Sequence, residues 1–330
     1  MIKIAFFSAK PYEQEAFQKN GLSSKFEFHF FENKFNAHTA GLAKGYDVVC
    51  IFVNDKADAE AISILKTLNI QIIATRSAGY NQIDVKAAKQ HNIRVVRVPA
   101  YSPNAISEFT VGLMLTLGRK IHKAYNRVRE GNFELAGLEG FELRDKTIGI
   151  IGTGRIGTMT LKNLSGFGSK LIAYDPFPND EAKKYATYVS SLDELYKASD
   201  IISLHLPLSP ESLHLINKES LVKMKDGVFI VNTSRGALLD TQAIVEGLKS
   251  GKIGKLAIDV YEEEADIFYQ DLSEKIISDD VFSRLLTFPN VIVTGHQAFL
   301  TDHALSNIAE TTMTNIQDIL DKGTSANEVS

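Results

Sequence analysis

Three short stretches hold side chains suited to exchanging a hydride and a proton at a carbonyl carbon. They are Asn232-Thr-Ser-Arg235-Gly236, Asp259-Val-Tyr-Glu-Glu-Glu264 and Gly295-His296-Gln-Ala-Phe299. Arg235 supplies a planar cation that can grip a carboxylate through two parallel hydrogen bonds. His296 supplies an imidazole that can give or take a proton near neutral pH. An acid beside it would stabilise its protonated form, and spacing alone leaves Glu262, Glu263 and Glu264 equally eligible. Each residue also has a purely structural reading. Arg235 could cap a helix or sit in a surface ion pair, the glutamates could form a solvated face, and His296 could be a satisfied buried histidine. Position favours chemistry. Each stretch directly follows a β-rich run (Val228–Val231, Lys255–Ile258 and Val291–Thr294), and open α/β sheets bind ligands at the carboxyl ends of their strands. Such a trio suits reduction of a keto group flanked by a carboxylate.

Upstream lies the pattern a dinucleotide needs. Thr147-Ile-Gly-Ile-Ile-Gly152-Thr-Gly154-Arg-Ile-Gly157 is an apolar run ending in Gly-x-Gly-x-x-Gly. A helix-compatible segment and a second apolar run, Lys170–Tyr174, lead to a lone acid, Asp175. In this layout Gly152 permits a tight turn, Gly154 lets a pyrophosphate approach the backbone, and Gly157 lets helix and strand pack closely. The helix start offers free N–H groups to the phosphates. Asp175 would accept hydrogen bonds from an adenosine ribose and repel a 2′-phosphate. No Arg follows it to welcome that phosphate, so NAD is favoured over NADP. His205, which ends a strand before Pro207, is a candidate lining residue of the same site. His296 and His303 lack a third ligand at metal spacing, and no metal is assigned.

These residues need a scaffold of alternating strands and helices. β-rich runs recur at Ile2–Phe7, Phe26–Phe31, Asp47–Val53, Gln71–Thr75 and Arg94–Val98, and again at Thr147–Ile151, Lys170–Tyr174, Ala186–Val189, Asp200–Leu204 and the three runs named above. The alternation predicts an α/β protein with parallel sheets. Because the glycine pattern sits mid-chain, the first hundred residues should form a separate α/β unit. The spacing predicts helices over Ala57–Leu68, over one long stretch from Asn104 to about Arg129, and over Thr301–Lys322. In the last of these, Leu305, Ile308, Ala309, Thr312, Ile316, Ile319 and Leu320 share one face. The polar tail Gly323–Ser330 should fray. At 330 residues, 44% hydrophobic and 23% charged, the chain can bury a sizeable core. A net charge of −4 gives no basic footprint for nucleic acid. The longest apolar stretch, around Val111–Leu117, is too short for a bilayer, and the N-terminus lacks a signal-peptide layout. The expected location is the cytoplasm. Cys50, the single cysteine, lies in an apolar run and reads as a buried, inert thiol.

Taken together, the chain resembles the D-isomer-specific 2-hydroxyacid dehydrogenase family, specifically its D-lactate branch. The resemblance rests on Val98-Pro-Ala-Tyr101-Ser-Pro103, the glycine motif, Asn232–Gly236, Asp259–Glu264 and Gly295-His-Gln-Ala-Phe-Leu300. It implies an NAD-binding Rossmann domain over 103–299 and a smaller, flavodoxin-like substrate domain over 1–102 plus 300–330. It implies that Arg235, Glu264 and His296 are catalytic, with Glu264 paired to His296. Ala78, Gly79, Tyr101 and Phe299 would join Arg235 and His296 around a small 2-keto or 2-hydroxy acid. Gly152, Gly154, Arg155, Ile156, Gly157, Asp175, Leu206, Pro207, Ser212, Thr233, Ser234 and Asp259 would contact NAD. A homodimer formed through the cofactor domains is also implied. Many family members carry His where this chain has Phe109. The expected activity is reversible reduction of pyruvate to D-lactate. The alternatives are a reductase of larger 2-keto acids and, from another class, a non-catalytic NAD(H)-sensing adaptor.

Overall fold

The alternating runs become two separate sheets in the computed structural model, which describes residues 1–329. The chain divides into two compact units, Met1–Ser102 with Leu300–Ser330, and Pro103–Phe299.

The first unit opens with strands β1 (Ile2–Phe6), β2 (Phe26–Phe30), β3 (Val48–Ile51), β4 (Ile72–Thr75) and β5 (Arg94–Val96), interleaved with helices α1 (Pro11–Lys19), α2 (Ala59–Thr67) and α3 (Val85–Gln90). The five strands are parallel in the order β2-β1-β3-β4-β5, the flavodoxin-like arrangement. Every residue of β3 and β4 is buried, which is why both read as unbroken apolar runs. Burial pushes the Cys50 thiol up to about 11, away from the reactive thiolate.

The second unit begins with α4 (Pro103–Gly118) and α5 (Ile121–Arg129) and continues through β6 (Thr147–Ile151), α6 (Arg155–Ser165), β7 (Lys170–Tyr174), α7 (Asp180–Lys183), β8 (Thr187–Tyr188), α8 (Leu192–Ala198), β9 (Ile201–Leu204), α9 (Lys218–Lys223), β10 (Val228–Asn232), α10 (Thr241–Ser250), β11 (Ile253–Ile258), α11 (Asp280–Thr287) and β12 (Val291–Val293). All seven strands are parallel, in the order β8-β7-β6-β9-β10-β11-β12. The chain winds outward from β6 in one direction and from β9 in the other. The crevice of this doubly wound sheet therefore opens at the carboxyl ends of β6 and β9.

Three expectations need correction. The long helix predicted from Asn104 to Arg129 is broken, because Lys120 adopts a left-handed φ of 54° between α4 and α5. The Gly118 carbonyl accepts instead from the Phe141 N–H at 3.2 Å, and a Cβ on Gly140 would lie 2.4 Å from that oxygen. This crossing contact ends α4. In the first unit the tail expected to fray, Gly323–Ser330, instead carries a strand, β13 (Glu328–Val329), antiparallel to β5 and held by an Arg94–Glu328 ion pair, with Ser330 outside the described residues. The preceding helix, α12 (Asp302–Lys322), buries Ala304, Met313 and Asn315 beyond the predicted face, while Leu320 is exposed.

Candidate active site

The glycine turn after β6 shows why each glycine is required. Gly152 has φ +89°, and a Cβ there would sit 2.4 Å from the His205 carbonyl oxygen. A Cβ on Gly157 would lie 1.9 Å from the Gly152 oxygen. Gly154, the N-cap of α6, has nothing within 4 Å of its Cβ position. Two glycines thus allow backbone to touch backbone, and the third leaves the start of α6 open. Beside it is a cavity of about 590 Å³, lined among others by Gly152, Gly154, Asp175, Leu206, Pro207 and Ser212. The cavity thus joins an open helix start, which suits an anion, to a carboxylate. Asp175 also braces the turn, since its Oδ2 accepts from Thr153 N at 2.6 Å and Thr153 Oγ1 at 3.1 Å. Tyr188 OH donates to Thr153 Oγ1 at 2.6 Å, and Asn179 Nδ2 donates to the Thr153 carbonyl. Arg155 opens on an adjoining hollow shared with Gly154, and Ile156 is half-buried in the first turn of α6. His205 lines the cavity beside Ser203 Oγ at 2.9 Å; burial pushes it down to about 3, so its ring is neutral.

The loops after β9, β10 and β11 are tied together. Ser234 Oγ donates to the Leu206 carbonyl at 2.6 Å, and buried Thr233 meets Thr110 Oγ1 at 2.8 Å. Arg235 is half-buried and extended, with the Asn232 side chain donating to its carbonyl at 2.8 Å. A Cβ on Gly236 would lie 2.0 Å from the Tyr261 carbonyl carbon, so only glycine lets the Arg235 loop press against the loop after β11. The guanidinium donates through Nη1 to the Ser234 carbonyl at 2.7 Å. Among the described residues it has no carboxylate partner.

Two strands away, the turn after β12 carries His296 at φ +52°, a conformation that non-glycine residues seldom adopt. Asp259 maintains it. His296 N donates to the Asp259 carbonyl at 2.7 Å, and the fully buried Asp259 carboxylate accepts from Thr294 Oγ1, Gln297 N and Ala298 N at 2.6, 2.9 and 2.9 Å. Burial raises the Asp259 pKa. Asp259 therefore commits its polar atoms to the turn that carries His296.

The imidazole faces one of the three clustered glutamates. His296 Nδ1 is 2.7 Å from Glu264 Oε1, and Glu264 Oε2 accepts from Tyr261 N at 2.9 Å. Glu262 is engaged elsewhere, by His214 Nε2 at 2.5 Å and Thr241 Oγ1 at 2.8 Å. With Nδ1 held by a carboxylate, Nε2 remains the nitrogen available for proton exchange. The His296 and Glu264 side chains are 21% and 20% exposed, sheltered yet reachable. Tyr269 adds a contact that no sequence pattern signalled. Its hydroxyl donates to the His296 carbonyl at 3.0 Å and its ring centroid lies 5.9 Å from the imidazole. Asn232 could have been suspected from its place in the Asn232–Gly236 motif.

Ala78, Gly79 and Tyr101 belong to the first unit. After β4, the Ala78 and Gly79 carbonyls are taken by Arg97 Nη1 at 2.9 Å and Ser77 Oγ at 2.6 Å. Their N–H groups have no acceptor among the described residues. Tyr101 is half-buried, its carbonyl accepting from Asn307 Nδ2 at 2.6 Å. Phe299, at the end of the second unit, is buried. Among the described residues no group of three or more His, Cys, Asp or Glu could hold a metal ion, and no helix is long and apolar enough to cross a membrane.

Comparison with known proteins agrees with the fold. The family described as D-isomer specific 2-hydroxyacid dehydrogenase, NAD binding domain, matches residues 111–298. The solved apo-structure of D-lactate dehydrogenase from Escherichia coli has a TM-score of 0.91 and 46% identity, covering 100% of both chains. A structure reported as the pyruvate reductase of Chlamydomonas reinhardtii has a TM-score of 0.92 and 44% identity, with 97% of each chain covered. An aromatic 2-oxoacid reductase of Clostridium sporogenes is 48% identical over 328 residues, 99% of each chain. The chain belongs to the D-isomer specific 2-hydroxyacid dehydrogenase family and is an NAD-dependent oxidoreductase of 2-hydroxy acids.

Proposed function

We propose that this enzyme catalyses pyruvate + NADH + H⁺ ⇌ D-lactate + NAD⁺. The observation that carries the reading is the sheltered Glu264–His296 couple at the same carboxyl end of the sheet as a guanidinium without a carboxylate partner among the described residues. The bound cofactor supplies the hydride. Arg235 pairs with the substrate carboxylate and, through its remaining N–H groups, draws electron density from the neighbouring carbonyl. His296 Nε2 gives its proton to the carbonyl oxygen as negative charge develops there. Glu264 keeps Nδ1–H oriented, so that Nε2 is the nitrogen presented to the substrate. In the first unit, the free N–H groups of Ala78 and Gly79 receive a carboxylate oxygen. Tyr101 and Phe299 bound a small substrate side chain.

For the cofactor, the glycine turn with Arg155 and Ile156 would hold the pyrophosphate, Asp175 the adenosine ribose, and Leu206, Pro207, Ser212, Thr233 and Ser234 the remaining contacts. Asp259 acts through the turn that carries His296. The expected assembly is a homodimer, and the exposed Ile121, Tyr125, Val128, Phe133 and Leu135 offer an apolar surface for it. The expected location is the cytoplasm.

Likeness to a D-lactate dehydrogenase and a pyruvate reductase supports the small substrate. The Clostridium relative supports a second reading, in which larger 2-keto acids are preferred. A steady-state panel of pyruvate, 2-ketobutyrate, 2-ketoisocaproate and phenylpyruvate with NADH decides between them. Pyruvate should show the highest kcat/KM, with D-lactate as product; a preference for phenylpyruvate would replace this reading with the second. NADH binding without turnover of any keto acid would instead indicate a sensing adaptor, against which the retained Arg235, Glu264 and His296 argue.

A further inference from the structure

The amino ends of the second sheet lie away from all of this chemistry. There a small cavity of about 230 Å³ is formed where the chain enters β6, β9 and β10. The Phe141 ring is one wall. It is seated firmly, because a Cβ on Gly118 would lie 3.1 Å from it and the ring packs edge-on against Phe229. Lys146 and Lys255 both approach this ring, each with Nζ 5.3 Å from its centroid.

The local charges do not balance. Asp200 is paired with Lys225 at 2.8 Å and also accepts from Thr147 N at 2.8 Å. Asp226 is paired with Lys252 at 2.8 Å. Both acids lining the cavity are thus engaged by other lysines. Against burial, the Lys146 charge adds to that of Lys225 in lowering the Asp200 pKa, but neither the Lys146 nor the Lys255 ammonium forms an ion pair or hydrogen bond among the described residues. Lys255 is half-buried on β11. Burial, then the charges of Lys120 and Lys146, lower its pKa. A cation–π contact offsets only about 0.5–1 kcal/mol at such a site, whereas an ammonium shielded from water needs an anion or several acceptors. A half-buried strand position has therefore kept a lysine where an apolar residue would be cheaper. It has done so beside like charges, in a chain whose net charge is −4.

We propose that this cavity is a binding site for a small, multiply charged oxyanion, of which inorganic phosphate is the simplest, held between Lys146 and Lys255. The volume admits phosphate or a compact phosphate ester and excludes a dinucleotide. The site is separate from the glycine turn and from Arg235, which lie at the opposite ends of the same parallel strands.

Thermal melting of the enzyme with saturating NAD⁺, which occupies the pyrophosphate cradle, provides the test. Phosphate is titrated against sodium chloride at matched ionic strength. Phosphate should raise Tm saturably in the wild type, and Lys146→Met should weaken that response about tenfold in apparent Kd, the loss of one charge-assisted contact. Lys146→Met/Lys255→Met should abolish it. Without phosphate, the double variant should melt at or above the wild-type temperature, because like-charge crowding is relieved. A phosphate response no greater than that of chloride, or one whose apparent Kd is unchanged in the Lys146→Met variant, would overturn the proposal. If the double variant does not fold, isothermal titration of phosphate into the NAD⁺-bound wild type and Lys146→Met decides by the same two outcomes.

Discussion

At the scale of single residues, this enzyme shows how chemistry depends on which polar groups are left without partners. The Arg235 guanidinium is tethered by one backbone carbonyl and is otherwise available to an anion. Arg235→Gln should therefore lower kcat/KM for pyruvate by roughly 10²- to 10³-fold, the worth of a bidentate charge-assisted pair. Measured steady-state kinetics that stay within a few-fold of wild type would remove Arg235 from the site. His296→Gln removes the proton donor and should cost about 10²–10⁴ in kcat, with NADH affinity, read by fluorescence titration, near normal. Glu264→Gln takes away the negative charge 2.7 Å from Nδ1. The imidazole then loses the carboxylate acceptor that orients Nδ1–H, so kcat should fall while KM for NADH stays near wild type. An unchanged kcat would argue against the pairing role of Glu264. His205 illustrates the opposite case, a histidine kept neutral. Its pKa drops from 6.5 to about 3 on burial, so the unfolded chain binds more protons between those values. Stability is thus lost as pH falls from about 6.5 toward 3. In a comparison of urea midpoints across that window, His205→Gln should show a shallower loss than wild type.

At the scale of elements, the glycines decide what can approach what. Gly236 brings the Arg235 loop onto the Tyr261 backbone, and Gly157 seats α6 against the Gly152 turn. Asp175 has two tasks: it faces the cofactor cavity, and it anchors Thr153 in the same turn. Asp175→Ala should thus raise KM for NADH and also narrow the NADH-over-NADPH preference. If kcat/KM fell equally for both cofactors, Asp175 would be an anchor of the turn alone. Asp259 works at this scale as well. By gathering three donors from the Thr294–Ala298 turn, it holds His296 in a backbone conformation that would otherwise cost about 1–3 kcal/mol.

At the scale of the whole molecule, α5 has no buried residue, and the chain after it exposes Phe133 and Leu135. Light scattering should give the mass of a dimer, and Tyr125→Glu should shift it toward the monomer; a monomeric wild type would refute the assembly. Strand positions, the parallel α/β class and the glycine cradle were legible in the sequence, because each follows from local periodicity or from glycine's freedom at one turn. So was the placement of Arg235 and His296 just after strand ends. The motif left three glutamates eligible. The family resemblance pointed to Glu264, and the folded chain pairs Glu264 with His296 and hands Glu262 to His214, because the three differ by where a loop turns and not by residue type. The break at Lys120, the strand at Glu328–Val329, and the Tyr269 and Asp259 contacts around His296 depend on partners 23 to 234 residues away in sequence. Local pattern carries no record of such partners. Composition and periodicity determined which elements form; long-range packing decided which polar atoms are consumed and which remain to do chemistry.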